Sequence, residues 1–221
     1  MKELAMTPST EPYRFLMFAL AIVVIAVLLL TGRVALADEA GLYGPAAPPG
    51  SAFVRVFNGS SQSLLGSKIG PEDFNEVPAF EASEFTFLPP GTYTVNAGGS
   101  QAQATLKADR YYTAALVNGK LQLLDNARYG NRMKALVMVY NLVGDAPLAL
   151  KTGDGKTTVV EPVAPGATGQ REVNAIKAQF AVYKGEQRLA QARPVTLERG
   201  RAFSLFVVGT AAQPTPVWVI N

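Results

Sequence analysis

The chain contains no cysteine and no histidine. Without cysteine there is no disulfide, no thiol nucleophile and no thiolate metal ligand, yet an oxidising compartment stays open to it. Without histidine, a Ser-His-Asp triad, a Cys-His pair and a histidine zinc site are all unavailable. Neither Ser-x-x-Lys nor Gly-x-Ser-x-Gly occurs anywhere. Strong charge is also missing. Twenty Lys and Arg face 17 Asp and Glu, a net +3, and no basic run with interleaved aromatics suggests nucleic acid. Long helical periods are scarce: "RLAQARPV" is short and is stopped by Pro194. Glycosidase-type carboxylate pairs can lie far apart in a chain, but the acids here cluster on turn-rich segments that point to no cleft. The expectation is a protein that is not an enzyme, with no metal or cofactor.

One long apolar run is present. Phe15–Leu30 is 16 uncharged residues, followed by Thr31, Gly32, Arg33 and "VALA". Ala35-x-Ala37 is a small-x-small pattern that signal peptidase accepts, so cleavage is expected before Asp38, with residues 1–37 as a signal peptide and export of the remainder. An uncleaved membrane anchor is the alternative, because the run is long for a signal peptide and short for a span.

Across the chain, 20 Gly and 15 Pro indicate many turns. The segment also repeats itself. "TLKADRYYTAALV" (Thr105–Val117) returns 91 positions later as "TLERGRAFSLFVV" (Thr196–Val208), and "FVRVFN" (Phe53–Asn58) returns 83 positions later as "LVMVYN" (Leu136–Asn141). "GTYTVNAGG" (Gly91–Gly99) has a looser counterpart in "AQFAVYKGE" (Ala178–Glu186). Each unit of about 85 residues is large enough for a small core. The reading is an internal duplication: 38–127, a linker at 128–134, and 135–221.

Within each copy the strand period of two puts Tyr112, Ala114 and Leu116 on one face, and Phe203, Leu205 and Val207 on the corresponding one. Asp109 and Gly200 tolerate left-handed turns, so both repeated segments read as hairpins. "FTFLPPGTYTV" (Phe85–Val95) has the same grammar, with Tyr93 and Val95 sharing a face. "TGDGK" (Thr152–Lys156) lacks phosphate-loop spacing and reads as a hairpin turn. Trp218, amid strand formers, reads as core packing rather than a sugar platform. Short strands between Gly/Pro turns predict two tandem antiparallel β-sandwich domains, all-β.

Charge is unequally shared. Residues 38–127 hold five basic and nine acidic side chains, whereas 135–221 hold nine basic and six acidic. Glu72, Asp73, Glu76, Glu81 and Glu84 form one stretch with no base between them. It is either a solvated loop or an acidic patch for a basic partner. Leu42 and Tyr43, in Gly/Pro-rich "GLYGPAAPPG", form either an arm folded on its own domain or an extended docking strip.

Taken together, "LYGPAAPPGSAFVRVFN", "FNEVPAF", "FLPPGTYTV", "RYYTAALVNGKLQLL", "LVMVYNL", "LALKTGDGKTTVVEPVAPG", "QREVNAIKAQFAVY", "VTLERG" and "PVWV" resemble the AlgF family of periplasmic alginate O-acetylation proteins, in register from about Leu42 to Val219. The resemblance implies a Gram-negative periplasmic protein needed to O-acetylate the exopolysaccharide alginate. It also implies two kinds of partner: an inner-membrane acyltransferase, and periplasmic acetyltransferases that use Ser, Asp and His. A chain without histidine cannot be one of those enzymes by that mechanism, so an accessory adaptor is expected. Its partner contacts are expected at Leu42, Tyr43, Glu72, Asp73, Glu76, Glu81 and Glu84. The alternative is an alginate-binding module whose contacts would be Lys177, Lys184, Arg188, Arg193 and Arg201, since the polymer is a polyanion.

Overall fold

Alternating apolar residues rich in Val, Phe, Tyr and Thr favour a pleated, half-buried surface, and the computed structural model is all-β, with no helix among the described residues. It describes residues 47–127, 129–144 and 146–220; the apolar run Phe15–Leu30 and the expected cleavage site before Asp38 lie outside them. The first half is a two-sheet sandwich. One sheet has the order β4-β1-β7-β8, from β1 (Ala52–Asn58), β4 (Thr86–Leu88), β7 (Arg110–Val117) and β8 (Lys120–Ala127). Its facing sheet has the order β3-β2-β5-β6, from β2 (Leu64–Ile69), β3 (Glu72–Val77), β5 (Gly91–Ala97) and β6 (Ser100–Leu106).

The second half repeats this topology strand for strand. β9 (Ala135–Asn141), β12 (Thr168–Val173), β17 (Ala202–Gly209) and β18 (Pro214–Ile220) take the order β12-β9-β17-β18. β10 (Leu148–Thr152), β11 (Thr158–Val163), β14 (Phe180–Lys184) and β15 (Gln187–Gln191) take the order β11-β10-β14-β15. A two-stranded addition, β13 (Lys177–Ala178) with β16 (Val195–Thr196), occupies the longer loops of this copy.

Pairing is antiparallel except at one place in each copy, where β1 runs parallel to β7 and β9 parallel to β17. The chain leaves β1, builds the other sheet, and returns to lie beside β1 in the same direction. The segments Thr105–Val117 and Thr196–Val208, read from sequence as hairpins, are therefore not hairpins. β6 pairs with β5 while β7 pairs with β1 and β8, so the chain crosses from one sheet to the other. The same correction applies to Phe85–Val95, whose β4 and β5 lie in different sheets. Turn composition reports a reversal of the chain, but not which strand receives the backbone hydrogen bonds.

The turns themselves are as expected. Asp109 has φ 57° and Gly200 φ 77°, and Asp109 N–H donates to the Ser51 carbonyl at 3.0 Å. In the first copy the Tyr112 hydroxyl accepts the Lys107 N–H at 2.9 Å and so braces the crossing. In "TGDGK" the Asp154 carboxylate accepts from Thr152 Oγ1 at 2.6 Å and from Lys156 N–H at 3.1 Å, closing the β10–β11 turn. Those two bonds, the Thr152 hydroxyl first, hold its carboxyl below the usual range.

The predicted faces are correct as well. Tyr112, Ala114 and Leu116 enter the first core with Val54, Val56 and Val95. Phe203, Leu205 and Val207 enter the second with Val137 and Val139. Trp218 packs on that second core, edge-on to Phe180, and its indole N–H donates to the Arg193 carbonyl at 3.0 Å.

The other faces of β1, β7, β9 and β17 are not solvated. β9 is buried at every position, and β7 and β17 at six consecutive positions each. Strands covered on both faces lose polar alternation. Here the cover is mutual: Phe57, Ala115, Val117 and Leu124 pack with Leu136, Met138, Tyr140, Phe206 and Val208 in a third apolar cluster that joins the halves. At its centre Phe206 stacks on Phe57 at 4.0 Å and on Tyr140 at 4.5 Å. The position equivalent to Phe206 in the first copy is the small Ala115. One ring can therefore sit between two others instead of four rings colliding.

Candidate functional site

A buried charged side chain at the joint between the sandwiches is Arg55, and it comes from β1. In "FVRVFN" the period of two directs Val54 and Val56 into the core and Phe53, Arg55 and Phe57 toward the second half. Arg55 is only 3% exposed. Its Nε donates to Thr113 Oγ1 at 3.0 Å and its Nη2 reaches Ser204 Oγ at 3.4 Å. Thr113 and Ser204 occupy equivalent positions of the two copies, so both repeats contribute a hydroxyl to one guanidinium. The plane also lies over the Phe85 ring at 4.4 Å. Burial lowers the guanidinium from its ordinary value to about 10, partly offset by Tyr140 and Glu84.

Beside Arg55 lies a cavity of about 180 Å³. Its walls come from β1, β7 and β8 of the first half, from β9 and β17 of the second, and from Tyr129 in the connecting segment. Deep in it, Tyr140 OH accepts from Asn126 Nδ2 at 2.8 Å and faces Met138 Sδ at 3.6 Å. Burial raises the Tyr140 phenol, which stays neutral. Phe85 and Tyr111 meet edge to face at 5.1 Å on one wall. Gly200 and Arg201, both exposed, stand at the mouth. Arg201 pairs with Glu198 at 3.1 Å. Among the described residues the lining holds two cations, Arg55 and Arg201, and no carboxylate.

Among the described residues no cluster of acids could hold a metal ion. Sequence reading passed over this site. The available signal was Arg55 itself, a charge in a strand apolar at both parities, but its neighbours arrive from about 60 and 150 positions away.

The residues expected to bind partners fall elsewhere. Leu42 and Tyr43 lie outside the described residues. Glu72, Asp73 and Glu76 are not in a loop: they are on β3, an edge strand of the outer sheet of the first half. The stretch is also less purely acidic than it reads. Cross-strand pairing puts Lys68 beside Asp73, with an ion pair at 2.9 Å, and Glu72 accepts from Thr86 Oγ1 at 3.0 Å. Glu76 pairs across from Leu65, which is 67% exposed. Glu81 and Glu84 follow in the β3–β4 connection, both exposed.

The five basic residues of the second half are distributed over different places. Lys184 and Arg188 lie on the β14–β15 hairpin, Lys177 is on the small β13–β16 sheet, Arg193 follows β15, and Arg201 is at the cavity mouth.

Comparison with known proteins shows which family the chain belongs to. The family model described as "Alginate O-acetyl transferase AlgF" matches residues 25–204. The chain is 44% identical over 188 residues to the alginate biosynthesis protein AlgF of Pseudomonas syringae pv. tomato, covering 84% of this chain and 83% of that protein. It is 44% identical over 184 residues to AlgF of Pseudomonas aeruginosa, covering 83% and 84%. Solved structures of the C-terminal and N-terminal domains of AlgF from P. aeruginosa match at 45% and 39% identity. They cover 40% and 37% of this chain and 99% of each domain, with TM-scores of 0.37 and 0.33. With one family model spanning most of the sequence and relatives above 40% identity over four-fifths of it, the chain belongs to the AlgF family of alginate biosynthesis proteins.

Proposed function

We propose that this chain is a non-catalytic adaptor for alginate O-acetylation, acting in the periplasm between the acetyl-transferring enzymes and the inner-membrane acyltransferase. The observation that carries the reading is the joining of two sandwiches, opposite in net charge, through a doubly buried apolar face. Such a block offers two separate outer sheets at a fixed spacing, which suits holding two partners and serves no chemistry of its own. The absence of histidine supports the same view, because acyl transfer through a serine needs a base beside it.

On this proposal the first half docks an acetyltransferase through Leu42 and Tyr43, with Glu72, Asp73, Glu76, Glu81 and Glu84 steering the encounter. Aromatic anchors dominate interfaces, and rim charges tune rate and partner choice more than affinity. The purified protein, used as bait, is expected to retain the periplasmic acetyltransferases from periplasm and solubilised membrane. No stable complex at physiological salt would overturn the reading. In the whole chain Tyr43→Ala should weaken that complex by about 2 kcal/mol or more. Glu76→Gln should weaken it by less than about 1 kcal/mol. Equal effects from both would remove Tyr43 as the anchor. Whole-chain variants suit this test because each half alone would expose the Phe57 or Phe206 face.

A further inference from the structure

We propose that Asn118 is a site of spontaneous deamidation, and that the reaction releases a contact by which the first copy holds the second. Asn-Gly occurs twice in the sequence, at Asn58-Gly59 and at Asn118-Gly119. A glycine after asparagine leaves the next backbone nitrogen open to approach, because it carries no Cβ. The two sites therefore begin alike in reactivity, and the fold separates them.

Asn58 is closed. It is 0% exposed, and its amide nitrogen donates to the carbonyls of Gln62, Val77 and Pro78. The attacking atom is engaged as well, since Gly59 N–H donates to the Leu116 carbonyl at 2.8 Å. Space is also short there: a Cβ on Gly59 would meet Val117 Cγ2 at 2.6 Å. Asn118 is open. With Gly119 it forms the two-residue tip of the β7–β8 hairpin, between the paired Val117 and Lys120. Their φ values of 50° and 72° suit a hairpin turn with positive φ at both central positions. Both residues are exposed, and a Cβ on Gly119 would meet nothing within 4 Å.

The reaction needs only water. Gly119 N loses its proton to solvent base and attacks Asn118 Cγ. The new N–C bond closes a succinimide ring, the Cγ–Nδ2 bond breaks, and Nδ2 leaves as ammonia. Water then adds to either imide carbonyl and opens the ring, which leaves an aspartyl or isoaspartyl residue at position 118. An amide and water become an acid and ammonia, and nothing is oxidised or reduced.

The consequence falls on the joint. Asn118 Nδ2 donates to the Gly209 carbonyl at 3.2 Å. Gly209 follows Val208 as Asn118 follows Val117, so equivalent turns of the two copies meet here, above the Val117 and Val208 of the joining cluster. An ionised carboxylate accepts hydrogen bonds and donates none. After conversion two acceptors face each other, and the isoaspartyl form also lengthens the backbone within a two-residue turn. The inference is independent of the adaptor reading, and a failed pull-down leaves it standing.

The test holds the full chain in warm, mildly alkaline buffer, natively and in urea. Peptide mass spectrometry follows the amide-to-acid change, and enzymatic methylation detects isoaspartate. In the native chain Asn118 is expected to convert at least about tenfold faster than Asn58, whose reaction waits on local unfolding. In urea the two should convert at similar rates. The Gly209 and Val208 amide resonances should shift in proportion to the converted fraction. Asn118→Asp, made directly, should lower the folding constant about two- to tenfold, the worth of one hydrogen bond. Asn118→Gly suits positive φ and cannot react, so it should keep its urea midpoint on ageing while that of the unaltered chain falls. The inference is overturned by any of three results: Asn58 converting as fast as Asn118 in the native chain, Asn118 staying intact natively while it converts in urea, or aged protein and Asn118→Asp keeping the Gly209 resonance and urea midpoint of the fresh chain.

Discussion

Phe206→Ala is expected to lower the unfolding free energy by about 3–5 kcal/mol, the range for truncating a fully buried aromatic. Phe206 is 0% exposed and is the middle ring of three, 4.0 Å from Phe57 and 4.5 Å from Tyr140. Its removal forfeits burial, both stacking contacts and the packing of Ala115 and Val208 around it. The loss falls on the joint and not within either sandwich core, which are separate clusters. The expected signature in urea is therefore a lower midpoint accompanied by separation of one transition into two, as the halves cease to unfold together. Phe206→Leu, which keeps most of the volume, should cost under about 1.5 kcal/mol. A loss below about 1 kcal/mol for Phe206→Ala, with a single transition retained, would show that the stack is not what couples the halves.

The second large effect is expected at a repeated asparagine. Asn58 and Asn141 end β1 and β9, and both are 0% exposed. Asn58 Nδ2 donates to the carbonyls of Gln62, Val77 and Pro78 at 2.7, 3.0 and 3.1 Å. Asn141 Nδ2 donates to Ala146 and Val163, both at 2.9 Å. Each side-chain carbonyl accepts from the backbone two residues on, Ser60 N–H at 3.0 Å and Val143 N–H at 3.3 Å. The side chain thus ties the end of one sheet to the last strand of the opposite hairpin, β3 in one copy and β11 in the other. Alanine leaves the Val77, Ala146 and Val163 carbonyls, whose bonds to these amides are buried, without that donor. Asn58→Ala or Asn141→Ala should cost about 3 kcal/mol each, given about 1–3 kcal/mol per stranded group. With no hydrogen-bond partner in common, the two should add to within about 0.5 kcal/mol. Chemical denaturation of the single and double variants measures this, and a loss under about 1 kcal/mol would mean that water replaces the amide.

The repeat that exposed these two asparagines was visible in the sequence, and their role was not. "FVRVFN" and "LVMVYN" align by eye, but the carbonyls that the amides serve lie 4 to 22 positions away, those of Val77 and Val163 on a second sheet. The same division holds for the acidic stretch. Its composition is plain in the sequence, while the Lys68 that pairs with Asp73 becomes its neighbour only through the β2–β3 register.

The sequence by itself determined whatever depends on neighbouring residues and on the strand period. That includes the duplication, the core faces of β7 and β17, the left-handed turns at Asp109 and Gly200, and an inventory without histidine or cysteine. These follow from side-chain alternation and local backbone sterics, which act over a few bonds. The tertiary structure alone decided where the other faces go. Nothing local distinguishes a hairpin from a crossing between sheets, because both begin with the same turn. Likewise nothing in β1 or β17 says that Phe57 and Phe206, 149 positions apart, will stack. That contact, the burial of Arg55 and the cavity beside it arise from packing one sandwich on its copy. The energy of such a joint is pairwise over long sequence separation, and so it can be read only once both surfaces exist.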